Sequence, residues 1–347
     1  MKKSLLFLGA LDYPNVPKAG DAVKNRYLLD FFKRELGTVE YVDTQRWKRN
    51  PLILARVMRY LLFHRYDNIV ISTSNVSAYR LVRLTVSLHL KSRIYYFMIG
   101  GYTPVKIRDG VYRAEPFRKL ERIVVEADKV SELYHEVGLD NTYRLYNFKP
   151  VLFVPDLSVP HEGPLRFVFL SRLTRLKGIF HILQSAGDLN AAGLAGRFSV
   201  DFYGRIDSDI EEEFLAGVSR LPNVSYKGFL NMGEADGYRV LSGYDAMLLP
   251  TMHETEGFPG AVADAAIAGL PVIASDWQYA QEIIGDGVCG MLFATGDNAA
   301  LTERMRAVII NRSLLEPLRR NALERSSLYD MDKVLDRHLI EELGMNR

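Results

Sequence analysis

The sequence predicts an α/β protein made of two doubly wound, Rossmann-like parallel sheets. Three observations carry that expectation. Short apolar runs of strand length alternate with helical patterns along most of the chain. The runs are almost continuously hydrophobic, as strands covered on both faces must be. The alternation breaks once, around Pro150–Pro164, where Pro155, Pro160 and Pro164 stand among mixed charges, and then restarts. A length of 347 residues suits two domains of ordinary size.

Ser4–Leu8 reads as the first strand. Ala22–Leu36 reads as a helix, with Asp21 as its candidate N-cap and Gly37 as its stop. Thr38–Val42, Asn68–Ser72, Arg93–Met98, Ile123–Val125 and Tyr143–Tyr146 supply further strands, and Leu52–Arg65 a basic amphipathic helix. After the break, strands are expected at Leu165–Leu170, Phe198–Tyr203, Val224–Tyr226, Ala246–Leu249, Val272–Ala274 and Met291–Phe293. From Asn298 onward the pattern is helical only. The expected domains are residues 1–150 and 151–330, with a C-terminal helix, 331–347, crossing back to the first domain. Ligands of open parallel sheets sit beyond the carboxyl ends of the strands, so two such domains facing each other would enclose a cleft.

Composition is that of an ordinary soluble protein, 48% hydrophobic and 25% charged. The single cysteine, Cys289, excludes an intrachain disulfide and fits a reducing, cytoplasmic compartment; it reads as a packing residue. Lys2 and Lys3 before Ser4–Leu11 faintly suggest a signal peptide. The apolar run is short, however, and Asp12, Tyr13 and Pro14 follow it, so a buried strand explains it better. No stretch approaches the roughly 20 apolar residues needed to span a bilayer. Charge is uneven: residues 1–150 carry 26 Lys/Arg against 15 Asp/Glu, and residues 151–347 carry 18 against 27. The first half is therefore expected to face something anionic. Arg46, Lys48 and Arg49 flank Trp47, and the helix after them carries Arg56, Arg59, His64 and Arg65 among apolar residues. Such a helix can pack its apolar stripe into the core, lie on an anionic membrane, or do both. No nucleic-acid motif accompanies the charge.

The most informative stretch runs from Ala246 to Phe293. A strand ends at Leu249, and a loop then carries Glu254, Glu256, Gly257, Phe258, Pro259 and Gly260 into a helix. A helix N-terminus presents unpaired N–H groups and partial positive charge, which suits a phosphate, and Gly257 and Gly260 allow close backbone approach. Glu256 and Asp264, eight residues apart, would fall on similar faces, one before the helix and one a turn inside it. A second loop, Ser171–Gly178, follows another strand and holds Arg172 and Lys177, two cations able to clamp a diphosphate. Asp207-Ser208-Asp209 follows a strand and precedes a helix, and reads as an N-cap rather than a manganese site.

These stretches resemble the retaining GT-B glycosyltransferases of family 4 (group 1), enzymes of bacterial polysaccharide, capsule and glycolipid synthesis. The family pattern sets a Glu and a second Glu with seven residues between them, in a P-[ST]-x-x-E-G-F-P context followed by A-x-G-x-P-V-I-A-[ST], and this chain matches nearly every position. Asp264 stands where the family has Glu. Ser171–Gly178 resembles the family's G-R-L-x-x-x-K-G, with Ser171 in the glycine position. The resemblance implies a GT-B fold and a retaining hexosyl transfer from a UDP- or GDP-sugar to a glycan or lipid-linked acceptor, without metal or other cofactor. It implies catalytic roles for Arg172, Lys177 and Glu256, the two cations neutralising the leaving diphosphate and Glu256 holding the sugar. Donor contacts are implied for Gly257, Phe258, Pro259, Gly260 and, at the ribose, Asp264. Weaker matches add Gly204, Phe229 in Asn223–Phe229, and Gly20 in Lys18-Ala19-Gly20-Asp21. The histidine that many relatives place near the reacting carbon is missing from Tyr96–Gly101, and His253 reads as a loop residue. A sugar-nucleotide-binding protein without turnover and a nucleotide-sugar 2-epimerase are the alternatives. A dinucleotide oxidoreductase is disfavoured because no G-x-G-x-x-G follows the first strand.

Overall fold

The computed structural model describes residues 3–13, 20–45, 47, 50–159, 161–253 and 256–346. The chain divides into two compact units, Met1–Phe148 with Met331–Arg347, and Lys149–Asp330.

In the first unit six strands form one parallel sheet: β1 (Ser4–Gly9), β2 (Thr38–Asp43), β3 (Asn68–Ser72), β4 (Arg93–Phe97), β5 (Arg122–Val125) and β6 (Thr142–Arg144), ordered β2-β1-β3-β4-β5-β6. Leu5–Leu8 and Ile69–Ile71 are wholly buried, which is why these runs show no polar alternation. The helix α1 (Gly20–Leu36) buries Ala22, Leu28, Leu29, Phe31, Phe32 and Leu36, a stripe at helical spacing. It starts earlier than expected, so Asp21 lies inside its first turn rather than capping it. Its carboxylate accepts from the neighbouring Ala22 N–H at 2.8 Å. Gly37, at φ +87°, ends the helix in the left-handed conformation that a side chain resists.

The β1–β2 step runs toward one edge of the sheet, and the β2–β3 and β3–β4 steps run toward the other. Right-handed crossovers therefore put α1 on one face and α2 (Pro51–Phe63) and α3 (Asn75–Ser87) on the opposite one. The C-terminal segment returns to the α1 side. Leu335, Leu339, Ile340, Leu343 and Met345 share one core with Leu28, Phe32 and Phe7. Hydrogen bonds fix it there, from Arg34 Nη2 to the Leu335 carbonyl at 2.8 Å and from Asn68 Nδ2 to that of Met345 at 2.9 Å. Helix α2 begins as helices should, with Pro51 in its first turn and the Asn50 side chain accepting from Leu52 N–H at 3.1 Å. It buries only Val57 and Leu61. At the carboxyl ends of β1 and β3, buried Asn25 joins the two strands, donating to the Ala10 carbonyl at 2.9 Å and to that of Ser72 at 3.0 Å. Lys24 of α1 pairs with Glu126, just beyond β5, both nearly buried.

The second unit repeats the plan with β7 (Leu165–Leu170), β8 (Phe198–Tyr203), β9 (Val224–Tyr226), β10 (Ala246–Leu249), β11 (Val272–Ser275) and β12 (Gly290–Phe293), all parallel, in the order β12-β11-β10-β7-β8-β9. Phe167, Phe169, Val200, Phe202, Leu248 and Ile273 form its centre with Ile179, Ile182, Met305 and Val308 from the flanking helices. Asp245, at the foot of β10, accepts from Arg166 N–H at 2.7 Å, with His161 Nδ1 at 3.0 Å and Arg312 Nη2 at 3.3 Å. Burial opposes its charge, but these partners outweigh burial and hold its pKa below the ordinary carboxylate value. Cys289 is buried. Burial also raises the pKa of its thiol.

Candidate functional site

In the second sheet β7 and β10 lie side by side, and the chain winds outward from them in opposite directions. Such a switch point leaves a crevice beyond the carboxyl ends of the two strands, the usual ligand position in an open parallel sheet. The two loops singled out from the sequence are the ones that leave these strands. The loop after β7 makes a single tight turn, Arg175–Lys177, with the Thr174 hydroxyl accepting from Lys177 N–H at 3.2 Å. Gly178 closes it at φ +72° and starts the helix Ile179–Ala191. A Cβ on Gly178 would stand 1.9 Å from the Pro250 carbonyl oxygen, so the two loops meet where no side chain fits. Met252 N–H donates to the Leu176 carbonyl at 2.7 Å and holds them together.

Lys177 Nζ donates to Glu256 Oε2 across this junction. The Thr251 hydroxyl lies 3.2 Å from the same oxygen. The two charged side chains are only 16% and 13% exposed. In surroundings that dry, their attraction is much stronger than at an open surface. The Ser275 hydroxyl donates to the Thr251 carbonyl at 2.5 Å and ties the group to β11. Beyond Glu256 the chain is pinned again. The Gly257 carbonyl accepts from Trp277 Nε1 at 3.3 Å. Phe258 meets Tyr329 edge-on, with centroids 5.0 Å apart. Pro259 occupies the cap position of the helix Gly260–Ile267, with no side-chain cap bond. The first N–H groups of a helix have no partner within it, and they carry its positive end.

Asp264 sits one turn inside that helix and is 3% exposed. The Tyr238 hydroxyl donates to its Oδ1 at 2.9 Å, and Lys149 Nζ to its Oδ2 at 3.0 Å. The carboxylate–helix tip–carboxylate order expected from the spacing is thus present, with Asp264 held among neighbours. Arg172, on the same loop as Lys177, is exposed, its Nε 3.9 Å from Asp207 Oδ1. Asp207 is therefore not a helix cap. The next helix, Glu211–Ser219, begins later, with Ile210 at its cap position and no side-chain cap bond. Glu211, Glu212 and Glu213 supply the negative charge that its first turn favours. Gly204, at φ +137°, passes so close to the β7 loop that a Cβ would lie 1.8 Å from the Ser171 oxygen. Its N–H donates to the Gly228 carbonyl at 2.8 Å, and Phe229 next to that glycine is 71% exposed. Gly20 opens α1 in the first unit. Lys18, Ala19, Arg46, Lys48, Arg49, Pro160, Glu254 and Thr255 lie outside the described residues. His253 is in the loop after β10, its N–H donating to Thr251 Oγ1 at 3.2 Å. Among the described residues no three His, Cys, Asp or Glu side chains converge as a metal site. Thr251, Ser275, Tyr238 and Lys149 were not singled out from the sequence as site residues. Thr251 belongs to the Pro-Thr pair of the motif and Ser275 closes the A-x-G-x-P-V-I-A-[ST] pattern, whereas Tyr238 and Lys149 carry no local signal.

Residues 157–325 match the family described as Glycosyl transferases group 1. Among curated proteins, a putative colanic acid biosynthesis glycosyltransferase, WcaL, of Salmonella typhimurium is 29% identical over 150 residues, covering 41% of this chain and 35% of that protein. The chain thus spans about a third of that relative's length. Among solved structures, Anabaena HepE in complex with UDP and glucose superposes with a TM-score of 0.74 at 16% identity, over 99% of this chain and 100% of that one. The lipopolysaccharide outer core galactosyltransferase WaaB in its apo form gives 0.69 at 16% identity, over 99% of each chain. These likenesses show that the chain has the GT-B fold.

Proposed function

We propose that this protein is a retaining, metal-independent glycosyltransferase of cell-surface polysaccharide synthesis. It moves a hexosyl unit from a UDP- or GDP-sugar to a glycan or lipid-linked oligosaccharide at the cytoplasmic face of a membrane. The observation that carries the reading is the Lys177–Glu256 pair, formed across the switch point by loops from β7 and β10. The family match over residues 157–325 supports it independently. Without ligand the two charges satisfy each other. A bound donor parts them, the ammonium going to the diphosphate and the carboxylate to the sugar hydroxyls. Arg172, exposed on the same loop as Lys177, adds a second cation to the diphosphate. The start of the helix Gly260–Ile267 adds its N–H groups, and Asp264 meets the ribose. As the bond between the anomeric carbon and the phosphate oxygen breaks, negative charge gathers on the leaving group, where fixed cations stabilise it most. The acceptor hydroxyl bonds to the same face of that carbon, and its proton passes to the departing phosphate.

A thermal-shift panel of UDP, GDP and ADP, alone and as their sugars, tests the reading. One nucleotide class is expected to raise the midpoint by about 5–10 °C at a hundredfold excess over its Kd, unchanged by EDTA. Stabilisation that requires added manganese would contradict it. Stabilisation with no sugar release or transfer would leave a binding protein without turnover.

A further inference from the structure

Between Asp43 and Asp67 the chain has six Lys/Arg and no carboxylate. Helix α2 fills most of this stretch. Its buried residues, Val57 and Leu61, lie one turn apart and define the inward line. At 100° per residue, the opposite arc carries Leu52, Arg56, Arg59, Leu62 and Phe63. Phe63 is 80% exposed, Leu52 75% and Leu62 53%, while Arg56, Arg59 and Arg65 are all exposed. The helix thus turns large apolar side chains outward, interleaved with cations only. A solvated helix face is polar and of mixed charge, and a core-facing stripe is covered. This arc is neither, and no described element covers it.

We propose that α2 is an in-plane membrane anchor. Leu52, Leu62 and Phe63 insert at the acyl boundary of an anionic bilayer, and Arg56, Arg59 and Arg65 contact lipid phosphates. Charge complementarity selects the occupant. The exposed arc of α2 has cations and no carboxylate of its own, so it repels cationic partners, and phosphodiester groups complement it. The three inserted apolar side chains favour a lipid surface over nucleic acid, which would bury none of them in hydrocarbon. Thirteen residues give a rod about 20 Å long, enough to lie along the interface and too short to cross it. The inference rests on the reading of the acceptor as membrane-borne, and it names the surface that brings the enzyme there.

Co-sedimentation of the full chain with vesicles tests it, without donor or acceptor, so that failure here and failure of transfer are separate results. The protein is expected to bind vesicles of phosphatidylcholine mixed with phosphatidylglycerol and not phosphatidylcholine alone, less so as salt is raised. Leu62→Asn with Phe63→Asn should lower partitioning about tenfold or more. Arg56→Gln and Arg59→Gln should each lower it about fivefold. All variants should melt with the wild type, since the replaced side chains are exposed. Equal affinity for both vesicle types, no binding to either, or unchanged binding of the Leu62/Phe63 variant would overturn the proposal. In the last case α2 is a purely electrostatic surface, as a nucleic-acid partner would need.

Discussion

Glu256→Ala is expected to lower kcat/KM for transfer by about a thousandfold, the order seen when a preorganised polar contact to the reacting group is removed. The carboxylate is doubly held, by Lys177 Nζ and by the Thr251 hydroxyl, at the junction of the two loops that leave the switch point. Removing it leaves an ammonium only 16% exposed without its partner. Some stability should therefore be lost as well, about 1–3 kcal/mol. Glu256→Gln separates the two effects. The amide oxygen can still accept from Lys177, so the fold should be close to wild type while transfer stays lost. Steady-state kinetics and a melting curve for both variants check this. Glu256→Gln with wild-type turnover would remove the residue from the chemistry.

Gly178→Ala should be a severely damaging single-methyl change in the second unit. Two independent reasons act at one atom. The residue sits at φ +72°, where an L-side chain is strained, and its Cβ would stand 1.9 Å from the Pro250 oxygen. That oxygen belongs to backbone at the end of β10, beside Met252, whose N–H is bonded to Leu176. It cannot swing aside as a side chain would. The loops must separate, at a cost on the order of 3 kcal/mol or more. Separation also carries Lys177, the preceding residue, away from Glu256. Nucleotide affinity should fall together with the midpoint of denaturant unfolding. Gly196→Ala is the matched control: its Cβ meets nothing within 4 Å, so both readouts should stay near wild type.

The fold was legible because parallel strands buried on both faces leave unbroken apolar runs. Leu165–Leu170, Phe198–Tyr203 and Ala246–Leu249 were located to the residue. The two site loops were legible for a related reason, since each begins where such a run stops. Features that depend on contacts far along the chain left no local trace. Asp264 reads as an acidic residue on a helix, yet its partners are Tyr238 and Lys149, the latter 115 positions away. Asp207 follows a strand and precedes a helix, the usual place for a cap. The helix starts at Glu211 and the carboxylate faces Arg172 instead. For α2 the sequence left core and membrane readings equally open. Val57 and Leu61 alone turned inward, which periodicity cannot distinguish from an apolar stripe twice as wide.

In the proposed mechanism, side-chain cations and a helix tip in the second unit hold the leaving diphosphate without a divalent ion. Isothermal titration in EDTA, using whichever of UDP or GDP stabilises the protein, tests it most directly on the wild type, Lys177→Ala and Arg172→Ala. The wild type is expected to bind tightly and each variant to lose about tenfold or more, in line with the worth of a charge-assisted hydrogen bond. Binding by the wild type only when manganese is restored, or equal affinity in all three proteins, would contradict it.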